Sequence, residues 1–272
     1  MVSLKSGDKE LELREVAIGA SIGGGFARAE VLLTFFNGTS GKVVEGELDF
    51  PLPPNATVCG YALEDNDTER LIPASVVGKE KARITFEQEV RSGGTASLVE
   101  VVKGNSFKIH VYPLVPNHQK RVLVSFVTPL KSTGGDEGLV ALTIPYKTSR
   151  SVVRATFDIR VHGHPSLPSP NVVSSLAGLS FSPKQPDGVS VLISVLNGVK
   201  LEPVQITIRI PPPGTPASVN LFAKESETFF VVEDFPVLPT ADPEPATAGS
   251  KSSKFLVMSD ASFSSSSSKS SA

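Results

Sequence analysis

Apolar and polar residues alternate along most of this chain, and a helical spacing replaces the alternation once. Ala27, Ala29, Val31, Leu33 and Phe35 alternate with Arg28, Glu30 and Thr34, a period of two that predicts a half-buried strand. Similar runs predict strands over 11–21, 42–50, 57–64, 96–103, 106–115 and 120–130. Further strands are predicted over 139–144, 152–162, 189–195, 204–210, 217–223 and 228–232. In 42–50 the alternation sets Val44, Gly46, Leu48 and Phe50 against Val43, Glu45, Glu47 and Asp49. In 152–162 it sets Val153, Ala155, Phe157, Ile159 and Val161 against Arg154, Thr156, Asp158, Arg160 and His162.

The exception lies in 76–94, where Gly78, Ala82, Phe86 and Val90 recur every four residues. That spacing lines them along one face of a helix over about 77–91, and Gly93-Gly94 stops it. One amphipathic helix of this length cannot bury its stripe alone, so it must lie on a sheet built from its neighbours. The predicted fold is mostly β: an antiparallel sandwich-like unit with one helix over 8–130, then a second antiparallel β unit over 131–235. Residues 236–254 read as a Pro/Ala/Ser linker. Residues 255–272 read as a serine-rich tail, too polar to bury apolar surface.

Four ordered blocks in the first unit carry a family resemblance: EGELDFPLP, GYAL, GKEKARITFEQE and LVEVVKGNSFKIHVYPLVP. Together they resemble the VIT domain, the vault protein and inter-alpha-trypsin domain, up to about Leu130. The resemblance implies a mostly-β module with one helix, usually followed by a von Willebrand factor A-type domain, as in inter-alpha-trypsin inhibitor heavy chains. It implies no catalytic constellation. It also bears on the tail, where Asp260, Ser262 and Ser264 form D-x-S-x-S after the apolar run Phe255–Met258. This is similar to the first metal-ligand loop of A-type domains, whose hydroxyl and carboxylate oxygens suit a hard divalent cation. The Thr and Asp that complete such a site do not follow within the 272 residues. No metal ligand is therefore assigned, and the motif reads either as a remnant of an A-type domain or as a product of the serine-rich composition.

Composition narrows the function. A net charge of −2 gives no electrostatic reason to bind nucleic acid or an anionic membrane. The start, MVSLKSGDKELELR, lacks an apolar signal region, and no run of eighteen apolar residues occurs, so the expectation is a cytoplasmic protein without membrane insertion. The sequons at Asn37, Asn55 and Asn66 then read as turn residues. The single cysteine, Cys59, reads as a small buried strand residue. Among candidate ligands, Glu45, Glu47 and Asp49 read as a solvated strand face, because calcium ligands normally come from loops. His162 and His164 read as a strand end, His110 as a surface or half-buried strand residue, and His118 as part of a hairpin loop. The glycine cluster at 21–26 joins two strands rather than opening a helix, which excludes a phosphate loop. No G-x-S-x-G elbow occurs. The expectation is a non-catalytic module that binds an unidentified protein partner, with no catalytic, cofactor or metal residue. The alternatives are a fragment of a longer metal-dependent adhesion protein, or a hydrolase whose site converges only in space.

Overall fold

The alternating segments fold as strands. The protein is described by a computed structural model covering residues 1–23, 25–39, 41–75, 79–102, 106–132, 139–162, 171–174, 189–209, 217–224 and 227–234. The first strands are β1 (Ser3–Ser6), β2 (Lys9–Glu10), β3 (Glu12–Gly23), β4 (Phe26–Phe36), β5 (Val44–Pro51), β6 (Thr57–Glu64) and β7 (Leu71–Pro73). Helix α1 (Lys79–Ser92) is followed by β8 (Ala96–Val102), β9 (Ser106–Leu114), β10 (Gln119–Pro129) and β11 (Lys131–Ser132). Then come β12 (Leu139–Ile144), β13 (Val152–His162), β14 (Asn171–Ser174) and β15 (Val189–Val199). The last are β16 (Val204–Arg209), β17 (Ala217–Lys224) and β18 (Glu227–Asp234). Among the described residues no helix is long and apolar enough to cross a membrane.

The strands form a seven-stranded sheet (β15-β13-β3-β4-β10-β6-β7), a five-stranded sheet (β2-β1-β5-β9-β8), a four-stranded sheet (β11-β12-β16-β14) and the β17–β18 hairpin. The inward residues of β4, Ala27, Ala29, Val31, Leu33 and Phe35, are all buried. They share one hydrophobic cluster with Leu48, Phe50 and Ile109 of the five-stranded sheet and Leu142, Ile206 and Ile208 of the four-stranded one. Gly46 lets β5 sit tightly between β1 and β9. A Cβ there would fall 2.6 Å from Leu114 Cδ1 and 2.9 Å from Leu4 Cδ1.

The pairing adds two features that alternation does not carry. Strands from both sides of the expected boundary at 130/131 share the seven-stranded sheet, and the chain up to Pro236 is one compact unit. The junction is also parallel: β13 lies beside β3, with Arg154 opposite Glu15 and Val161 opposite Ile22. Within β13 the burial phase slips at its start. Val152 is buried and Val153 is 56% exposed, opposite the point where Gly198 leaves strand geometry with a φ of 61°. The expected linker and tail, 236–254 and 255–272, lie outside the described residues.

Helix α1 carries its predicted stripe. Phe86 is buried and Ala82 and Val90 half-buried, while the helix packs against β8. Gly78 lies outside the described residues. Gly93 ends the helix with a φ of 81°, and the Gly94 amide donates to the Glu89 carbonyl at 2.9 Å.

Candidate functional site

Three polar groupings are the places where chemistry is concentrated. The most buried sits where β6 and β10 run side by side. Glu64 and Lys120 lie near the strand ends, and both are buried. The Glu64 carboxylate accepts from the Arg121 amide at 2.8 Å and from Arg121 Nε at 2.7 Å, the charge-assisted pairing that a buried carboxylate requires. Lys120 Nζ donates to Asn66 Oδ1 at 2.6 Å. Next to it Asp65 accepts from the Thr68 hydroxyl at 2.7 Å and amide at 3.1 Å, and from Thr95 Oγ1 at 3.1 Å. These bonds, the Thr68 hydroxyl first, hold the Asp65 carboxyl below its ordinary value. The network clamps turn 65–70 onto the sheet.

Burial pulls the Lys120 ammonium down to about 8, against the opposing pull of Glu64 and Asp65. A lysine with a folded value below its unfolded one stays protonated longer in the unfolded chain. Stability therefore rises with pH between about 8 and the ordinary lysine value of about 10.5. Urea denaturation at pH 7 and pH 10 is expected to show the wild type gaining on the order of 1–2 kcal/mol relative to Lys120→Met, after solvent screening. A gap that does not change with pH would refute this account of Lys120.

The second grouping is the outer face of β5 and β9. Glu45, Glu47 and Asp49 do not form a bare acidic row. Lys108 is paired with Glu47, and His110 Nδ1 lies 2.9 Å from Glu45 Oε1. The bond to Glu47 raises the Lys108 ammonium above its ordinary value. The Phe86 ring of α1 stands 6.0 Å from the His110 imidazole, which places the helix beside this charged strip. Among the described residues no three His, Cys, Asp or Glu side chains are grouped to hold a metal.

The third is a contact no local pattern shows. Ser21 Oγ and His162 Nε2 are 2.8 Å apart although 141 positions separate them, because parallel β3 and β13 run together. A serine beside an imidazole is the start of a nucleophile–base pair. This one is exposed on a sheet face, and the adjacent Asp158 is taken by Arg160 at 3.1 Å. A described pocket of about 140 Å³, lined by Val2, Glu10, Leu13, Thr148 and Ser151 among others, contains neither residue. His118 Nδ1 lies 2.9 Å from the Pro116 carbonyl in the β9–β10 turn. His164, Asp260, Ser262 and Ser264 lie outside the described residues.

Cys59 corrects its expectation: the thiol is exposed. It occupies an irregularity in the β6–β10 ladder, which passes from Gly60 opposite Ser125 to Val58 opposite Phe126. β7 pairs with Ala62–Glu64, so among the described residues no strand covers Cys59 from that side. Of the sequon residues, Asn37 is buried, with Nδ2 donating to the Leu114 carbonyl at 3.0 Å and Oδ1 accepting from Thr39 Oγ1 at 2.7 Å. Asn55 takes a turn conformation with φ of 60°.

Comparison with known proteins agrees with the ordered blocks. Two von Willebrand factor A domain-containing proteins of Dictyostelium discoideum are 27% and 26% identical over 93 residues, or 34% of this chain. The matched stretch spans about a tenth of their length, 10% and 11%. Among solved structures, aminopeptidase A of Legionella pneumophila is similar over 85% of this chain and 25% of its own, at 12% identity and a TM-score of 0.42. An M1 zinc metallopeptidase of Deinococcus radiodurans covers 84% and 48%, at 12% identity and 0.39. Likenesses this distant assign no activity. The family model of the Vault protein inter-alpha-trypsin domain matches residues 13–126, from β3 to β10, the stretch in which the four ordered blocks lie.

Proposed function

We propose that the chain is a non-catalytic protein-interaction scaffold, working in the cytoplasm as part of a longer protein of the VIT–von Willebrand A-domain type. The observation that carries this reading is how the polar groups are spent. Glu64, Asp65, Lys108, Lys120 and Arg121 are bonded to one another or to turn residues, and the space between the sheets is filled by one hydrophobic cluster. A surface whose charges are internally paired and whose interior is full suits docking rather than turnover. The free thiol of Cys59 fits a reducing compartment. Metal-dependent adhesion would belong to an A-type domain, for which Asp260, Ser262 and Ser264 are the candidate first ligands.

One observation favours a second reading, a hydrolase, and that is the Ser21–His162 pair. A fluorophosphonate probe separates the two. The scaffold reading expects no adduct on Ser21 and saturable binding of the purified chain to a protein captured by cross-linking. A Ser21 adduct that disappears in His162→Ala would establish the hydrolase. Absence of any partner above background would remove the scaffold reading.

A further inference from the structure

Unpaired amides and carbonyls collect at sheet edges, and proteins usually block them. Most edges here are blocked. β2 is two residues, Lys9–Glu10, and β11 is two residues that begin with Lys131. β7 is three residues ending in Pro73, and β8 has α1 packed on it. The β17–β18 hairpin carries Lys224, Glu227, Glu233 and Asp234. β15 has none of these devices. It ends the seven-stranded sheet, and among the described residues β13 is the one strand it pairs with. Its eleven residues, VSVLISVLNGV, hold no charge and no proline. Ile193, at 71%, is the most exposed large apolar side chain among the described residues, and Val195 follows on the same face at 46%. Val189 and Val191 have further partners, so the open stretch starts at Ile193. It stops at Asn197, because Gly198 turns out of strand geometry.

We propose that the β15 edge from Ile193 to Asn197 is a self-association surface, pairing antiparallel with the same strand of a second copy about a twofold axis. Two features of the edge select a second copy over a foreign peptide. In a twofold antiparallel pair residue i meets residue j and j meets i, so a charge near the axis would lie close to its own copy; β15 carries none. Ile193 and Val195 then become cross-strand neighbours of the same side chains in the other copy, and the most exposed apolar patch on this face is covered by its own kind. A foreign peptide would be selected by pockets or charge, and the nearest charges, Asp158 and Arg160, are already paired with each other. Five residues of strand bury less than the ~1,000 Å² expected of a stable interface, so the dimer is weak and forms with rising concentration. The inference goes beyond heterologous partner binding and stands or falls separately from it.

Sedimentation velocity of the full chain from ~1 μM to several hundred μM spans the affinities expected of such an interface. The wild type is expected to move from monomer toward dimer, with amide exchange at 193–197 slowing as it does so. The double variant I193K/V195K changes two exposed side chains. It is expected to keep the wild-type melting temperature and near-UV spectrum and to stay monomeric. A wild type that remains monomeric throughout, or a lysine variant that dimerises as readily, overturns the proposal.

Discussion

A fragment ending at Leu130 is expected not to fold, although the VIT match lies wholly within it. The reason is the path of β13. In the whole chain β13 occupies the β3 edge of the seven-stranded sheet, and β15 lies outside it. Phe157, Ile159 and Val161 of β13, and Leu142, Ile144, Val204, Ile206 and Ile208 of the four-stranded sheet, pack in the same cluster as Val16, Ile18, Leu33 and Phe35. Each such side chain contributes about 1.5–3 kcal/mol by leaving water, whereas a whole domain is stable by only about 5–15 kcal/mol. Losing eight of them, and leaving their partners wet, exceeds that margin. The fragment 1–130 should lack near-UV ellipticity and amide dispersion and should aggregate as it is concentrated. The fragment 1–236, the compact unit, should unfold cooperatively. A dispersed spectrum and cooperative melt from 1–130 would show that the first half closes its own core and that β13 is an accessory.

The elements were readable in the sequence wherever alternation was long. β6, β12 and β13 begin and end where the pattern does, and Phe86 lies on the buried helix face that the four-residue spacing marks. β1 and β2, four and two residues long, are too short to show a period. What alternation cannot show is which strand lies next to which. The β3–β13 pairing brings together residues about 140 positions apart, and nothing in either strand marks it as a parallel neighbour. The three polar groupings depend on such pairing: Glu64 with Arg121, Glu45 with His110, Ser21 with His162. The acids on β5 were visible as a row, but their neutralisation by Lys108 and His110 comes from β9. Cys59 and Val153 fail for a related reason. Cys59 sits where the β6–β10 register shifts and Val153 stands opposite a glycine outside strand geometry, and the simple in–out rule holds only while pairing is regular.

Phe157→Ala tests whether the chain is one cooperative unit or two. The ring is 1% exposed, on a strand flanked by β3 on one side and β15 on the other. Removing a buried aromatic ring costs about 3–5 kcal/mol, through lost transfer energy and the cavity left behind. At roughly 2–4 °C per kcal/mol for a chain of this size, the melting temperature should fall by about 10 °C. The magnitude alone does not decide the question, because either arrangement loses the same contacts around β13. Cooperativity decides it. With a shared core, the variant should melt in one transition with an unchanged urea m-value, and amides of β9, in the other sheet, should lose protection together with those of β13. If the halves were separate, the transition would split and β9 would keep its wild-type protection while β13 opened. The cluster that joins Phe157 to Phe50 and Ile109 predicts the first result: the stretch that the family model matches depends for its stability on strands beyond it.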